Sequence, residues 1–304
     1  MRLFHSPRYE ADIGEHVMPI RKFALVRQRL EELGFPIEEP EPVSDADLLR
    51  VHSEAYVRAV ATGEPRALAE SQKFPWSPKL AESVRHTNGG AIAALFAALE
   101  DGVAGNLASG FHHSHGDHGE GFCTFNGLVV ALERARADGR IRRGLVIDLD
   151  LHYGNGTASL LSTRPELFNL SIYGNWYEDN RAYRDVDARR APDTDNCWSI
   201  PIRNGAAGPE YIAAVDVHVR NAITRSQPDV IYYQAGADPY REDPYSPLDL
   251  GIDDLLERDR LVFRMARDAG VPIAWVLAGG YTHDVSKVVE VHVNTARAAR
   301  DVFG

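Results

Sequence analysis

Cysteine is nearly missing from this chain: Cys123 and Cys197 are the only two in 304 residues. That excludes a disulfide framework and any zinc-finger spacing, and it fits a reducing compartment. Long apolar runs are missing too. The longest, around Ala91 to Leu99, is stopped by Glu100 and Asp101 and is too short to span a bilayer. The opening Met1 to Pro7 carries no apolar signal-peptide core, so a cytoplasmic protein with no membrane partner is expected. No block of positive charge interrupts a net charge of −11 and a pI near 5.5, which argues against nucleic acid as a partner. An acidic surface is compatible with cationic substrates, but it is also the ordinary state of a soluble protein. No G-x-G-x-x-G, Walker or G-x-S-x-G sequence occurs, and the last absence argues against a serine hydrolase. Internal repeats and low-complexity segments are absent as well.

What is there is a chain 44% hydrophobic, enough for a large buried core. Strand-like runs alternate with helix-like ones, the pattern of a mostly parallel sheet flanked by helices in an α/β fold. Strands are expected at Ala104 to Ala108, Leu145 to Leu149, Leu167 to Ile172, Val230 to Gln234 and Ile273 to Leu277. Helices are expected at Ile20 to Leu33, Pro78 to Leu99, Leu128 to Ala137, Pro209 to Thr224, Asp253 to Asp268 and Val285 to Val302. Pro78 and Pro209 stand where a first helical turn tolerates proline. Length alone allows two domains, but α/β enzymes of this size are often single, and one domain over 1–304 is expected. One segment breaks the rhythm: Gly174 to Asn196 has neither period, and a loop that long is usually functional or mobile.

The unusual polar residues all follow predicted strands. His112 and His113 come after the first, Asp150 and His152 after the second, Asp238 after the fourth and Tyr281 after the fifth. The carboxyl edge is where open α/β sheets place their ligand sites. In Ile147-Asp148-Leu149-Asp150-Leu151-His152, alternate residues share one face of an extended chain, and Gly154-Asn155-Gly156 reads as a tight turn beyond it. Asp150 and His152, with Asp238 as a third ligand, would neutralise a divalent cation and leave a position open for water, as catalytic sites do. Taken singly, each segment also reads as solvated charge or turn chemistry. Adjacent histidines suit proton transfer near neutral pH, although such a pair on a loop is also compatible with solvation or another metal site. Asp148 remains to stand behind an imidazole and fix its tautomer. Gly279 and Gly280 free the backbone before Tyr281, whose phenol suits a developing oxyanion. Phe122, after Gly121, could line an apolar channel. Cys123 reads as a small buried hydrophobe, and His115 and His118 read as solvated.

Taken in order, these segments resemble the zinc-dependent histone deacetylase family, with its arginase-like α/β fold, and most closely the bacterial and class IV-like branch. The resemblance rests on His112-His113 with Gly119 to Asn126, Asp148 to His152, Ala235 to Asp238 and Gly279 to Tyr281. Phe74-Pro75-Trp76-Ser77-Pro78 and Val51 to Tyr56 add to it. It implies Zn²⁺ held by Asp150, His152 and Asp238, an oxygen-rich set for which Fe²⁺ competes. It further implies that His112 pairs with Asp148 beside the metal-bound water. His113 would be the general base and then protonate the leaving amine, and Tyr281 would stabilise the oxyanion. Gly121 and Phe122 would flank the substrate's alkyl stem. K⁺ or another monovalent cation would sit near Asp148, Asp150, His152 and Ser171. The implied substrate is an acylated primary amine, most simply an Nε-acyl-lysine.

The chain departs from the family in three places. Asn155 stands where many relatives have an aspartate behind the second histidine, so it orients His113 without charge. Trp176 and Tyr177 lie in a loop longer than in relatives and are expected to gate the substrate channel. Tyr245 occupies a rim position where a smaller aliphatic residue is usual. Three alternatives stay open: a deacylase of small acylated amines or polyamines, a weakly active acyl-lysine binding module, and a binuclear arginase-like hydrolase. Oligomeric state is not legible.

Overall fold

The computed structural model describes all residues except 12, 15, 17 and 175–193. Its centre is one eight-stranded sheet in the order β2-β1-β3-β8-β7-β4-β5-β6. The strands are β1 (Arg2–Phe4), β2 (Ile37–Glu38), β3 (Val103–Ser109), β4 (Gly144–Asp148), β5 (Leu167–Gly174), β6 (Cys197–Ile202), β7 (Val230–Ala235) and β8 (Ile273–Leu277). Every ladder is parallel. Parallel strands covered on both faces carry continuous apolar runs rather than alternation. Gly-Leu-Val-Ile-Asp in β4 and Ile-Ala-Trp-Val-Leu in β8 are buried at every position.

Helices supply the covering layers. α1 (Lys22–Glu32), α8 (Gly208–Ser226), α9 (Ile252–Asp268) and α10 (Val285–Phe303) pack on one another in series. α5 (Pro78–Asp101), α6 (Gly127–Ala137) and α7 (Asn155–Leu161) form a second series, and short helices α2 (Asp45–Leu48), α3 (Glu54–Thr62) and α4 (Arg66–Ala69) precede it. α5 starts where the sequence says it should. Ser77 accepts a hydrogen bond from Leu80 N at 3.1 Å, Pro78 opens the first turn, and Gly102 at φ +86° ends it. Among the described residues, no helix is long and apolar enough to cross a membrane.

All the expected strands and helices are present, with ends shifted by a few residues. Two departures bear on the site. β1, β2 and β6 extend the sheet beyond the expected strands. Gly154-Asn155-Gly156, expected as a tight turn, leads straight into a helix: Gly154 has φ −73° and caps α7, which begins at Asn155. The glycine there answers a need for space, since a Cβ on Gly156 would fall 2.3 Å from Ser114 O.

Because the ladders are all parallel, the carboxyl ends of β3, β4, β7 and β8 meet at one edge. These four strands are consecutive neighbours in the order β3-β8-β7-β4.

Candidate metal centre and active site

Asp148 closes β4, and Asp150 and His152 follow it in the turn. Asp238 lies just past β7 and Gly279 just past β8. The ligand atoms of Asp150, His152 and Asp238 lie within 4.8 Å of one another, and all three residues are buried. His152 Nδ1 is 3.1 Å from Asp150 Oδ1 and 3.0 Å from Asp238 Oδ2. The other carboxylate oxygens are tied to main chain: Gly279 N donates to Asp150 Oδ2 at 2.8 Å and Leu151 N to Asp238 Oδ1 at 3.0 Å. Residue 279 must lack a side chain, because a Cβ would sit 1.9 Å from Asp238 Oδ2.

The electrostatics of this cluster call for a cation. Burial, with the nearby Asp150 charge, pushes Asp238 up to about 6. Burial disfavours an imidazolium at His152, yet its two carboxylate partners outweigh that and raise it to about 10. Asp238 Oδ2 is fully buried and accepts no well-aligned hydrogen bond, although His152 Nδ1 lies 3.0 Å away. The donor set of one imidazole nitrogen and two carboxylates suits a divalent metal.

The two adjacent histidines reach the same place from the end of β3. His112 Nδ1 is 2.7 Å from Asp148 Oδ2, and His113 Nδ1 is 2.7 Å from Asn155 Oδ1. Their rings are 4.0 Å apart between centroids. His112 Nε2 lies 3.7 Å from Asp150 Oδ1, so its free nitrogen faces the cluster. Burial works against charge on both rings. For His112 the carboxylates of Asp148 and Asp150 outweigh burial and raise its pKa. For His113 burial is joined by repulsion from His112 and His152, and its pKa falls well below the ordinary imidazole value.

Tyr281 is half-buried, its ring 6.3 Å from that of His152 and 5.3 Å from that of Tyr245, which itself lies 6.4 Å from His152. Gly280, at φ +134°, makes the bend that brings Tyr281 there. Gly121 (φ +52°) and Phe122 (φ +66°) are both left-handed, and a Cβ on Gly121 would meet His113 Cδ2 at 2.4 Å. The Phe122 ring stacks on Phe74 at 5.5 Å and meets His16 edge-on at 4.5 Å. Ser171 is buried beside Asp148 in the β4–β5 ladder. Trp176 and Tyr177 lie outside the described residues. Cys123 is buried, and burial pushes its thiol up.

Three residues have a role the sequence did not announce. Lys22 is wholly buried and donates to Ala278 O at 2.5 Å. Burial lowers its pKa to about 8, against the pull of Asp238, Asp150 and Asp243. Asp243 accepts from Tyr281 N at 2.7 Å and Tyr245 N at 3.0 Å, so it fixes the main chain of both tyrosines. Burial and Asp238 push it up to about 7. Neither stands in a motif, and only burial of a lysine inside a predicted helix would have flagged Lys22. His115 corrects an expectation: rather than being solvated, it is part-buried with Nε2 3.1 Å from Asn155 Nδ2.

Comparisons with known proteins identify the family. Residues 16–296 match the model of the histone deacetylase domain. The chain is 31% identical to histone deacetylase 2 of Arabidopsis thaliana, over 88% of this chain and 68% of that protein. It is 27% identical to an acetylpolyamine amidohydrolase of Burkholderia pseudomallei, over 99% of this chain and 95% of that one. A crystal structure of the HDA15 HD domain superposes with a TM-score of 0.81 at 21% identity, covering 99% of this chain and 88% of the other. With a family model spanning nearly its whole length and an edge of the sheet that gathers the same motifs, the chain belongs to the histone deacetylase family.

Proposed function

We propose that the protein is a metal-dependent deacylase that hydrolyses the amide of an acylated primary amine, with an Nε-acyl-lysine as the simplest substrate. One observation carries this reading. Two buried histidines, one backed by a carboxylate and one by an amide, stand side by side at a buried Asp-His-Asp cluster.

Asp150, His152 and Asp238 would hold the ion, Zn²⁺ first and Fe²⁺ as its competitor. The bound ion supplies Lewis acidity toward the carbonyl and acidifies a water. His113 holds its Nδ1 proton against Asn155 Oδ1, which leaves Nε2 as an acceptor. With its pKa depressed, His113 is neutral at neutral pH and ready to take a proton from the attacking water. As the C–N bond breaks, it returns that proton to the leaving amine nitrogen. His112, held toward the charged form by Asp148, donates a hydrogen bond toward the reacting oxygen. The Tyr281 hydroxyl stabilises the oxyanion. Asp243 holds the Tyr281 main chain in place. Gly121 and Phe122 flank the substrate stem, Tyr245 shapes the rim and a monovalent cation sits near Asp148 and Ser171.

A second reading, a deacylase of small acylated amines or polyamines, is favoured by likeness to an acetylpolyamine amidohydrolase over nearly the whole of both chains. One experiment addresses both. Metal-depleted and Zn²⁺-loaded protein are assayed on acyl-lysine peptides, acylpolyamines and small acylamines, with a hydroxamate as inhibitor. Turnover that appears with metal and is lost with hydroxamate is expected. The preferred class decides between the readings, and no metal-dependent turnover on any class overturns both.

A further inference from the structure

The loop between His113 and Gly121 carries a second group of converging ligands. We propose that His115, His118 and Glu120 form an outer site for a divalent transition-metal ion, separate from the Asp150–His152–Asp238 cluster. A ligand atom from each of the three residues lies within 4.8 Å of the others. His115 Nε2 is 3.4 Å and His118 Nε2 is 3.8 Å from the same oxygen, Glu120 Oε2. The two rings stack at 4.6 Å with only 7° between their planes, so both Nε2 atoms face the carboxylate together.

The loop is built to hold that geometry. His115 N donates to His118 O at 3.0 Å, Gly119 N to Ser71 Oγ at 2.8 Å and Glu120 N to Cys123 O at 3.2 Å, so the main chain is fixed at or beside every ligand. His118 Nδ1 donates to Asp117 Oδ1 at 2.7 Å, which leaves Nε2 as the lone-pair nitrogen aimed inward. A carboxylate behind the far nitrogen is how metal-binding histidines are usually oriented. Side-chain exposures of 15% for His115, 38% for His118 and 13% for Glu120 allow entry while keeping the ligands ordered. Two imidazoles and one carboxylate favour Zn²⁺, Co²⁺, Ni²⁺ or Cu²⁺ over Mg²⁺ or Ca²⁺, and three protein ligands leave coordination positions open.

This outer site touches the inner one through Asn155. His115 Nε2, the nitrogen that would bind the ion, also lies 3.1 Å from Asn155 Nδ2, and Asn155 Oδ1 holds His113 Nδ1. An ion that takes the His115 lone pair removes one anchor of the Asn155 amide and loosens its hold on His113. Occupancy of the outer site therefore alters turnover at the inner one.

The proposal stands apart from the reading of the inner cluster, and the test separates them. The full chain is dialysed to equilibrium against graded free Zn²⁺, and metal per chain is measured by mass spectrometry. Wild type is expected to approach two ions, while His118→Ala and Glu120→Gln hold one. Asp238→Ala is also expected to hold one, and that ion is lost when His118→Ala is added. Co²⁺ in Asp238→Ala should show the ligand-field bands of an imidazole-bound ion, absent from the double variant. In wild type, turnover changes a second time above the Zn²⁺ level that fills the inner site, and His118→Ala lacks this phase. The same number of ions in wild type as in both His118→Ala and Glu120→Gln, whatever that number is, overturns the outer site. The same second kinetic phase in His118→Ala overturns its link to Asn155.

Discussion

His112 and His113 are neighbours in the chain, equally buried, with rings 4.0 Å apart and Nδ1 atoms each 2.7 Å from a side-chain oxygen. They differ in the owner of that oxygen. Asp148 brings a negative charge and Asn155 brings none, and the two rings move in opposite directions from the ordinary imidazole pKa. Burial alone would depress both, so the split measures the neighbouring charge. The site thus has a charged side, where carboxylates surround His112 and His152, and a neutral side, where the Asn155 amide holds His113. His52 extends the neutral side: its Nδ1 lies 2.9 Å from His115 O, and its Nε2 accepts from Asn126 N at 3.1 Å.

The comparison can be broken most severely from the charged side. Asp238→Ala should empty the inner cluster of metal and reduce turnover to background. It also leaves Leu151 N without its acceptor, a cost of about 1–3 kcal/mol that thermal unfolding would register. Inner metal retained at full occupancy would remove Asp238 from the ligand set.

His113→Ala tests the neutral side. Loss of proton transfer should lower kcat by about 10²–10⁴-fold with metal content unchanged. A loss under about tenfold would move proton transfer to His112.

Asn155→Asp erases the difference between the two dyads. A carboxylate against Nδ1 favours the imidazolium, so the His113 pKa rises. Only the neutral ring accepts a proton, so the acid limb of kcat/KM moves to higher pH and activity near pH 6 falls. An acid limb that stays in place would show that charge at position 155 does not set His113.

The smallest effect concerns stability. Burial holds His52 at about 4, while an unfolded chain binds its proton near 6.5. Between those values the unfolded state holds more protons, so stability present above pH 6.5 is lost as pH falls toward 4, by up to about 3 kcal/mol. Chemical denaturation of His52→Gln should show a shallower loss across this window. Parallel slopes for the two proteins would refute the assignment to His52.

The sequence displayed the centre of this molecule and hid its margins. β4, β7 and β8 are continuous apolar runs because both faces are covered, and residues placed after them in sequence had to meet at one edge. That is why Asp150, His152, Asp238 and both histidines could be gathered from spacing and motif. β1 and β2 are too short to carry a period. β6 contains Pro201, which an edge strand tolerates but which masks it as a strand. Lys22 looks like any polar residue of an amphipathic helix until β8 is laid beside it. Asp243 acts through main-chain acceptors, which leave no residue pattern. His115 could be placed only once α7 had brought Asn155 against it, and the segment with Trp176 and Tyr177 lies outside the described residues.

The strand order has a consequence for how this protein is made. β7 and β8 are the last strands to be synthesised, yet they lie in the middle of the sheet, between β3 and β4. Among the described residues the flanks β2-β1-β3 and β4-β5-β6 share no ladder, and within the sheet that late pair joins them. Lys22 is synthesised 256 positions before the Ala278 carbonyl to which it donates. A nascent chain therefore holds two unjoined apolar sheet fragments until β7 and β8 have emerged, the interval in which exposed strand edges most need shielding.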